Sequence, residues 1–235
     1  MHHLYLHIPF CRRRCSYCDF HFSTNRSKQS AMVEAIAAEL EMRKGFGGGN
    51  GELRTLYFGG GTPSLLDEKE LVFLFEKIRG AFRLEPGAEV TLEANPEDLT
   101  PEKLSLLAEL GVNRLSIGLQ SFDAKDLDWM NRAHSPEQAA ACVPAARKAG
   151  IHNITVDLIF GLPGMSMESW EANLEKALAL SLTIFPFMHY PSRKKRRSGI
   201  GFMKAKWTCR KMKRWKRSTC SPTICSGSMV IHIMN

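Results

Sequence analysis

The chain has 235 residues, 44% of them hydrophobic, and carries 32 Lys and Arg against 24 Asp and Glu. That length suits one sizeable core and argues against two full domains, and neither a membrane-spanning apolar run nor a secretory signal is recognisable. The net charge of +8 is unevenly spread: no Asp or Glu follows Glu175 while 14 of the basic residues do, leaving 18 basic against 24 acidic residues before them.

In chain order, the first predicted strand covers residues 4–8 and runs into Cys11, Cys15 and Cys18, spaced C-x3-C-x2-C. A cysteine trio behind a strand points to a metal or iron-sulfur site rather than a structural staple. Three thiolates would hold three irons of a four-iron cubane and leave the fourth open; zinc would instead need a fourth ligand, for which His7 and His21 stand nearby. With seven cysteines at risk of oxidation, the cytoplasm is the expected location.

Met32, Ile36 and Leu40 mark the apolar face of a helix after Ser30. A second strand, residues 55–58, precedes Gly59-Gly60-Gly61-Thr62-Pro63, where backbone without side chains can come close to a ligand. The helix after Asp67 repeats Leu71, Leu74, Phe75 and Ile78, and the strand 89–92 leads to Glu93-Ala94-Asn95-Pro96. Thr100-Pro101-Glu102 opens a helix that stops at Gly111, with Leu104, Leu107 and Leu110 on one face. Strand 114–119 is followed by Gln120-Ser121-Phe122, and Ser135 to Gln138 is a capping box whose helix stops at Gly150. The fifth strand, 153–160, carries Asp157 and precedes Gly161-Leu162-Pro163-Gly164.

Alternating strands and amphipathic helices predict a parallel α/β sheet with right-handed crossovers, most simply a partial (β/α) barrel. Active sites in that architecture lie at the carboxyl ends of the strands. Taken singly, Glu93, Gln120 and Asp157 read as readily as satisfied structural polar groups as ligand contacts; on successive strand ends they favour one shared site.

The cysteine motif, with Tyr17 before its third cysteine, together with Gly59-Gly60-Gly61-Thr62-Pro63, resembles the radical S-adenosylmethionine (SAM) superfamily. Tyr5-Leu6-His7-Ile8-Pro9-Phe10-Cys11, Cys18-Asp19-Phe20, Asn113-Arg114-Leu115-Ser116-Ile117-Gly118 and Asp157-Leu158-Ile159-Phe160-Gly161-Leu162-Pro163 narrow the resemblance to HemW-type heme chaperones of the oxygen-independent coproporphyrinogen III oxidase-like family. It runs from about residue 3 to 182. It implies a [4Fe-4S] cluster on Cys11, Cys15 and Cys18 with SAM on the open iron, cleaved reductively to a 5′-deoxyadenosyl radical. It also implies a SAM pocket lined by Tyr5, Gly60, Gly61, Thr62, Glu93, Gln120, Arg132 and Asp157, in which Arg132 and Glu93 offer opposite charges and Tyr17 a flat surface near the adenine. His134, beside Arg132, reads as a surface residue.

Decarboxylating oxidases of this kind carry a further cysteine two residues on, where this chain has Phe20, and an arm before the first strand. Both differences favour handling heme, as a further ligand, over oxidative decarboxylation of coproporphyrinogen III, so the resemblance leaves open whether the chain is an enzyme. The implied partners are heme or a porphyrinogen, an electron donor and a heme-acceptor protein.

Past residue 183 the resemblance stops. The basic tail, 183–235, with Trp207 and Trp215, could in principle bind a phosphate backbone and stack on bases. An alternative needs only the genetic code: read one base earlier, permitted codons for residues 184–190 give His-Ile-Ser-Val-Tyr-Ala-Leu, which resembles the family's next strand. The expectation is therefore a radical SAM core over 1–182, incomplete after its fifth strand, then a disordered, out-of-frame tail in which Cys209, Cys220 and Cys225 are incidental and no nucleic acid is bound.

Overall fold

Strands form in this chain where alternate side chains suit two different surfaces, and helices form where an apolar face recurs every three or four residues behind a capping side chain. In the computed structural model, which describes residues 2–44, 52–182 and the backbone of 187–189, six strands form one sheet: β1 (His2–Ile8), β2 (Glu52–Gly60), β3 (Arg83–Ala94), β4 (Arg114–Gln120), β5 (Asn153–Phe160) and β6 (Phe187–His189). All pairings are parallel, and the spatial order is the chain order, β1 to β6. A sheet that steps steadily in one direction is the progression of a barrel, whereas a doubly wound sheet would reverse. The expected partial (β/α) barrel is therefore present, and its sheet continues past the fifth strand into the short β6, where Phe160 is paired with His189. Apart from that strand, the basic tail and its boundary lie outside the described residues.

Among the described residues six α-helices join the strands: α1 (Gln29–Met42), α2 (Glu68–Ala81), α3 (Pro101–Glu109), α4 (Ala124–Trp129), α5 (Pro136–Lys148) and α6 (Met167–Ala179). Their starts follow the residue chemistry. Asp67 accepts from the Glu70 backbone N–H while the Glu70 carboxylate accepts from the Asp67 N–H, and Ser135 and Gln138 repeat this reciprocal cap on α5. Thr100 caps α3 by accepting from the Lys103 N–H.

One sheet face packs under these helices. Leu56, Phe58, Leu92, Leu115, Ile117, Val156 and Leu158 are buried in one cluster with Leu71, Leu74, Phe75 and Ile78 of α2 and with Leu104 and Leu107 of α3. Phe58 and Phe75 stack with ring centroids 5.1 Å apart. The intervening residues face the other way: Tyr5 is paired with Tyr57, Glu93 with Ser116, and Gly118 with Asp157. This face is polar, and near its amino-terminal end Arg114 binds Glu89 of β3 at 3.2 Å and Thr155 of β5 at 3.2 Å.

Two expectations are corrected. On α1, Leu40 is buried and Ile36 packs against the core as expected, but Val33 and Ala37 are buried with them and Met32 is 38% exposed, because packing turns the centre of the buried face toward Val33 and Ala37. The third strand starts at Arg83 and passes through Pro86 and Gly87, since the β2–β3 register slips between Leu53 and Thr55 and absorbs those residues as an irregularity.

Candidate functional site

The cysteine loop leaves β1 and is tied down at both ends. Cys11 N–H donates to Ser23 O at 3.0 Å and Ser23 N–H to Pro9 O at 2.8 Å, so the loop returns alongside the strand exit. Its far side rests on the segment after α4: Ser16 N–H donates to Met130 O at 3.1 Å, Ser16 Oγ to Trp129 O at 2.8 Å, and Asn131 Nδ2 to Arg14 O at 2.9 Å. Cys11, Cys15 and Cys18 are free thiols, each partly buried. Burial pushes the Cys11 and Cys18 thiols up; so does the charge of neighbouring cysteines, while Thr62 and Arg132 pull Cys11 down.

Among the described residues, no three His, Cys, Asp or Glu side chains converge as ligands of a single ion would. A four-iron cluster spreads its three thiolates over three separate irons, so it does not call for such convergence.

Behind the loop, β2 ends in the glycine run. Gly60 has φ +115°, and a Cβ on Gly61 would stand 2.7 Å from Phe10 O and 2.9 Å from Phe10 N, so only glycine lets this strand end lie against the residue before Cys11. Glu93, at the end of β3, accepts from Tyr57 OH at 2.8 Å through Oε1 and from Gly60 N–H at 3.0 Å through Oε2. Tyr57 stacks on the exposed ring of Tyr5, whose hydroxyl is 3.3 Å from His7 Nδ1. Burial, and after it the charge of Glu93, raises both tyrosines. The same two causes push Asp157 up to about 7, with Arg132 opposing.

Arg132 sits at the centre. Nη1 lies 3.5 Å from Cys15 Sγ and 3.3 Å from Tyr17 OH, and Nη2 donates to Asn95 Oδ1 at 2.7 Å and to Gly118 O at 2.8 Å. Tyr17 packs on Leu127, Met130, Ile159 and Leu162. Gln120 is buried with φ +60°, just past a slip in the β4–β5 register, and its amide lies against Gly118, where an added Cβ would meet Nε2 at 3.0 Å. A non-glycine residue held in the left-handed region is a cost that functional sites tend to carry. Gln120 Oε1 and Arg132 Nε are buried without a hydrogen-bond partner.

The surface reading of His134 is overturned. Its side chain is buried under the end of β4, Nε2 is 3.1 Å from Leu119 O and Nδ1 is 3.4 Å from Glu97 Oε2. The turn after β3 contains further polar residues: Asn95, within the Glu93-Ala94-Asn95-Pro96 motif but given no role of its own, and Asp98, which the sequence did not single out. Asn95 touches both Thr62 and Arg132, and Asp98, with its side chain 1% exposed, takes Arg12 at 2.6 Å. Their available signal was a run of polar residues around Pro96, directly after an apolar strand.

The donor set fits the implied groups: three free thiols around a loop, a glycine cradle, and buried polar atoms awaiting partners. Residues 5–177 match the family model described as the Radical SAM superfamily. The heme chaperone HemW of Lactococcus lactis is 41% identical over 182 residues, covering 76% of this chain and 46% of that protein. An oxygen-independent coproporphyrinogen III oxidase of Bradyrhizobium diazoefficiens is 36% identical over 197 residues, covering 82% and 44%. The solved structure of the Escherichia coli coproporphyrinogen III oxidase HemN, described as a radical SAM enzyme, superposes with a TM-score of 0.74 at 30% identity, covering 80% of this chain and 44% of that one. The chain spans a little under half the length of the curated relatives it matches. On the match across residues 5–177 and the fold shared with HemN, this chain belongs to the radical SAM superfamily.

Proposed function

We propose that the chain holds a [4Fe-4S] cluster on Cys11, Cys15 and Cys18 and SAM beside it, and that it handles heme as its HemW relatives are named for doing. The carrying observation is that three free thiols, the glycine run and the partnerless atoms of Gln120 and Arg132 gather at the carboxyl ends of one parallel sheet. When bound, the cluster and SAM supply one-electron reductive cleavage of the sulfonium.

The chain's own residues bind and orient. Gly60 and Gly61 let backbone approach a polar ligand, and Glu93 fixes that approach by holding Gly60 N–H. Gln120 Oε1 is left to accept from the ligand, and Arg132 sets a positive charge beside Cys15. Asp157, pushed up to about 7 by burial and the charge of Glu93, passes between protonated and ionised forms near neutral pH and in the protonated form can donate as well as accept. On this reading the chain works in the cytoplasm with a reductant and a heme acceptor; among the described residues no helix is long and apolar enough to cross a membrane.

Oxidative decarboxylation of coproporphyrinogen III is the second reading, favoured by the Bradyrhizobium relative and the HemN fold. Phe20, 66% exposed where the decarboxylating oxidases carry a further cysteine, weighs against it. The test is anaerobic reconstitution with iron and sulfide, followed by electron paramagnetic resonance with and without SAM. A four-iron signal perturbed by SAM and abolished in Cys15→Ala supports the site, and no cluster in the parent chain refutes it. Heme titration against turnover of coproporphyrinogen III then separates the two readings.

A further inference from the structure

Two of the three cysteine sulfurs are served by hydrogen-bond donors that meet at one side chain. Thr62 Oγ1 donates to Cys11 Sγ at 3.4 Å, and Arg132 Nη1 lies 3.5 Å from Cys15 Sγ. Asn95 holds both donors: its Nδ2 donates to Thr62 Oγ1 at 3.4 Å and its Oδ1 accepts from Arg132 Nη2 at 2.7 Å. The Asn95 carboxamide presents a donor and an acceptor on one planar group, whereas an ionised Asp can only accept and Ala can do neither.

Asn95 is itself anchored. Its backbone N–H donates to Ser64 Oγ at 3.2 Å, Ser64 Oγ donates to Asp98 Oδ2 at 2.7 Å, and Asp98 Oδ1 accepts from Arg12 Nε at 3.0 Å and Nη2 at 2.6 Å. Arg12 follows Cys11 directly, so the connection closes on the cysteine loop from two sides.

We propose that Asn95 is a positioning residue, which aims the Thr62 hydroxyl and the Arg132 guanidinium at the sulfurs of Cys11 and Cys15 and so sets how firmly, and at what potential, those thiolates hold a cluster. This rests on the cluster reading above. Hydrogen bonds and positive charge at ligating sulfur draw electron density away and favour the reduced state. Removing their common support therefore shifts the cluster potential in the negative direction and loosens the iron.

The experiment reconstitutes the full chain, Asn95→Ala, Asn95→Asp and Cys15→Ala anaerobically. Iron loss to a chelator is timed, and the reduced signal is followed by electron paramagnetic resonance during a redox titration. In Asn95→Ala iron leaves about tenfold faster, as for outer partners of metal ligands generally, and the remaining cluster has a more negative midpoint. Should the alanine variant not fold, Asn95→Asp decides through iron retention: it keeps the Arg132 contact but cannot donate to Thr62, so iron is again lost faster than from the parent, whereas its midpoint would move on the added charge alone. Midpoints equal to that of the parent overturn the inference even if the variants lose thermal stability, because a merely structural role moves stability and not potential. A parent chain that takes up no more iron than Cys15→Ala overturns the cluster reading and the inference with it, a result distinct from normal clusters in every Asn95 variant.

Discussion

Gly61→Ala tests whether the site is built by backbone approach. An added methyl carbon would lie 2.7 Å from Phe10 O, 2.9 Å from Phe10 N and 3.0 Å from Ile8 O, where ordinary contact begins near 3.4 Å. All three neighbours are main chain, and Gly61 N–H is bonded to Ile8 O at 2.8 Å, so a rotamer change cannot relieve the crowding. Forcing β1 and β2 apart by several tenths of an ångström costs about 1–3 kcal/mol. Gly80, on α2, has no atom within 4 Å of its added Cβ, and alanine there stabilises by about 0.5–1 kcal/mol. Urea unfolding followed by circular dichroism should therefore separate the two variants by roughly 1.5–4 kcal/mol, with opposite signs relative to the parent. Because Phe10 precedes Cys11, Gly61→Ala should also retain less iron after reconstitution. A Gly61→Ala chain within about 0.5 kcal/mol of the parent, with full iron content, would refute the argument that the glycine is required for close approach.

Two further outcomes follow from single side chains. Folding raises Asp157 from 3.8 to about 7, so the stability tied to its protonated form is fully present below about pH 4 and is lost as the pH rises through 7. Asp157→Asn cannot ionise and should gain on the parent between pH 4 and 8 in the cluster-free protein; a stability difference that stays flat over this range contradicts the assignment. Asp67→Ala removes one half of the reciprocal cap on α2 and should lower the unfolding free energy by about 1 kcal/mol, while Asp67→Ser should recover most of it.

Much of the site was legible because its residues violate local expectations. Cysteines packed in a short loop, three glycines ending a strand, and polar side chains at Glu93, Gln120 and Asp157 all stand where a plain α/β core has no use for them. Caps were legible for a different reason: Asp67, Thr100 and Ser135 act within three residues of themselves. What escaped reading was long in range. His134 looks solvent-facing from its neighbours Arg132 and Ser135, yet its burial comes from Leu119, 15 residues away, and from Glu97. Arg12 and Asp98 are 86 residues apart, and nothing local in either predicts the pair. On α1 the spacing of apolar residues allowed two adjacent faces, and the packing chose Val33 and Ala37 over Met32.

The distribution of unmet polar groups says where a ligand belongs. Among the described residues, the buried side-chain atoms without a hydrogen-bond partner are Glu97 Oε2, Gln120 Oε1, Arg132 Nε, His134 Nδ1 and Asn173 Nδ2. Glu97 Oε2 and His134 Nδ1 face each other at 3.4 Å, whereas Gln120 Oε1 at the end of β4 and Arg132 Nε beside the cysteine loop have no such neighbour, and Asn173 accepts from Phe122 N–H at 2.6 Å just beyond Gln120. At the opposite end of the same sheet face, Arg114 finds Glu89, Thr91 and Thr155, and the polar network there is closed. Each unmet buried group costs about 1–3 kcal/mol, and the left-handed Gln120 adds to that. The fold thus satisfies its polar groups at one end of the sheet and leaves Gln120 Oε1 and Arg132 Nε open beside the three cysteines at the other, the end where the proposed cluster and SAM would supply the missing partners.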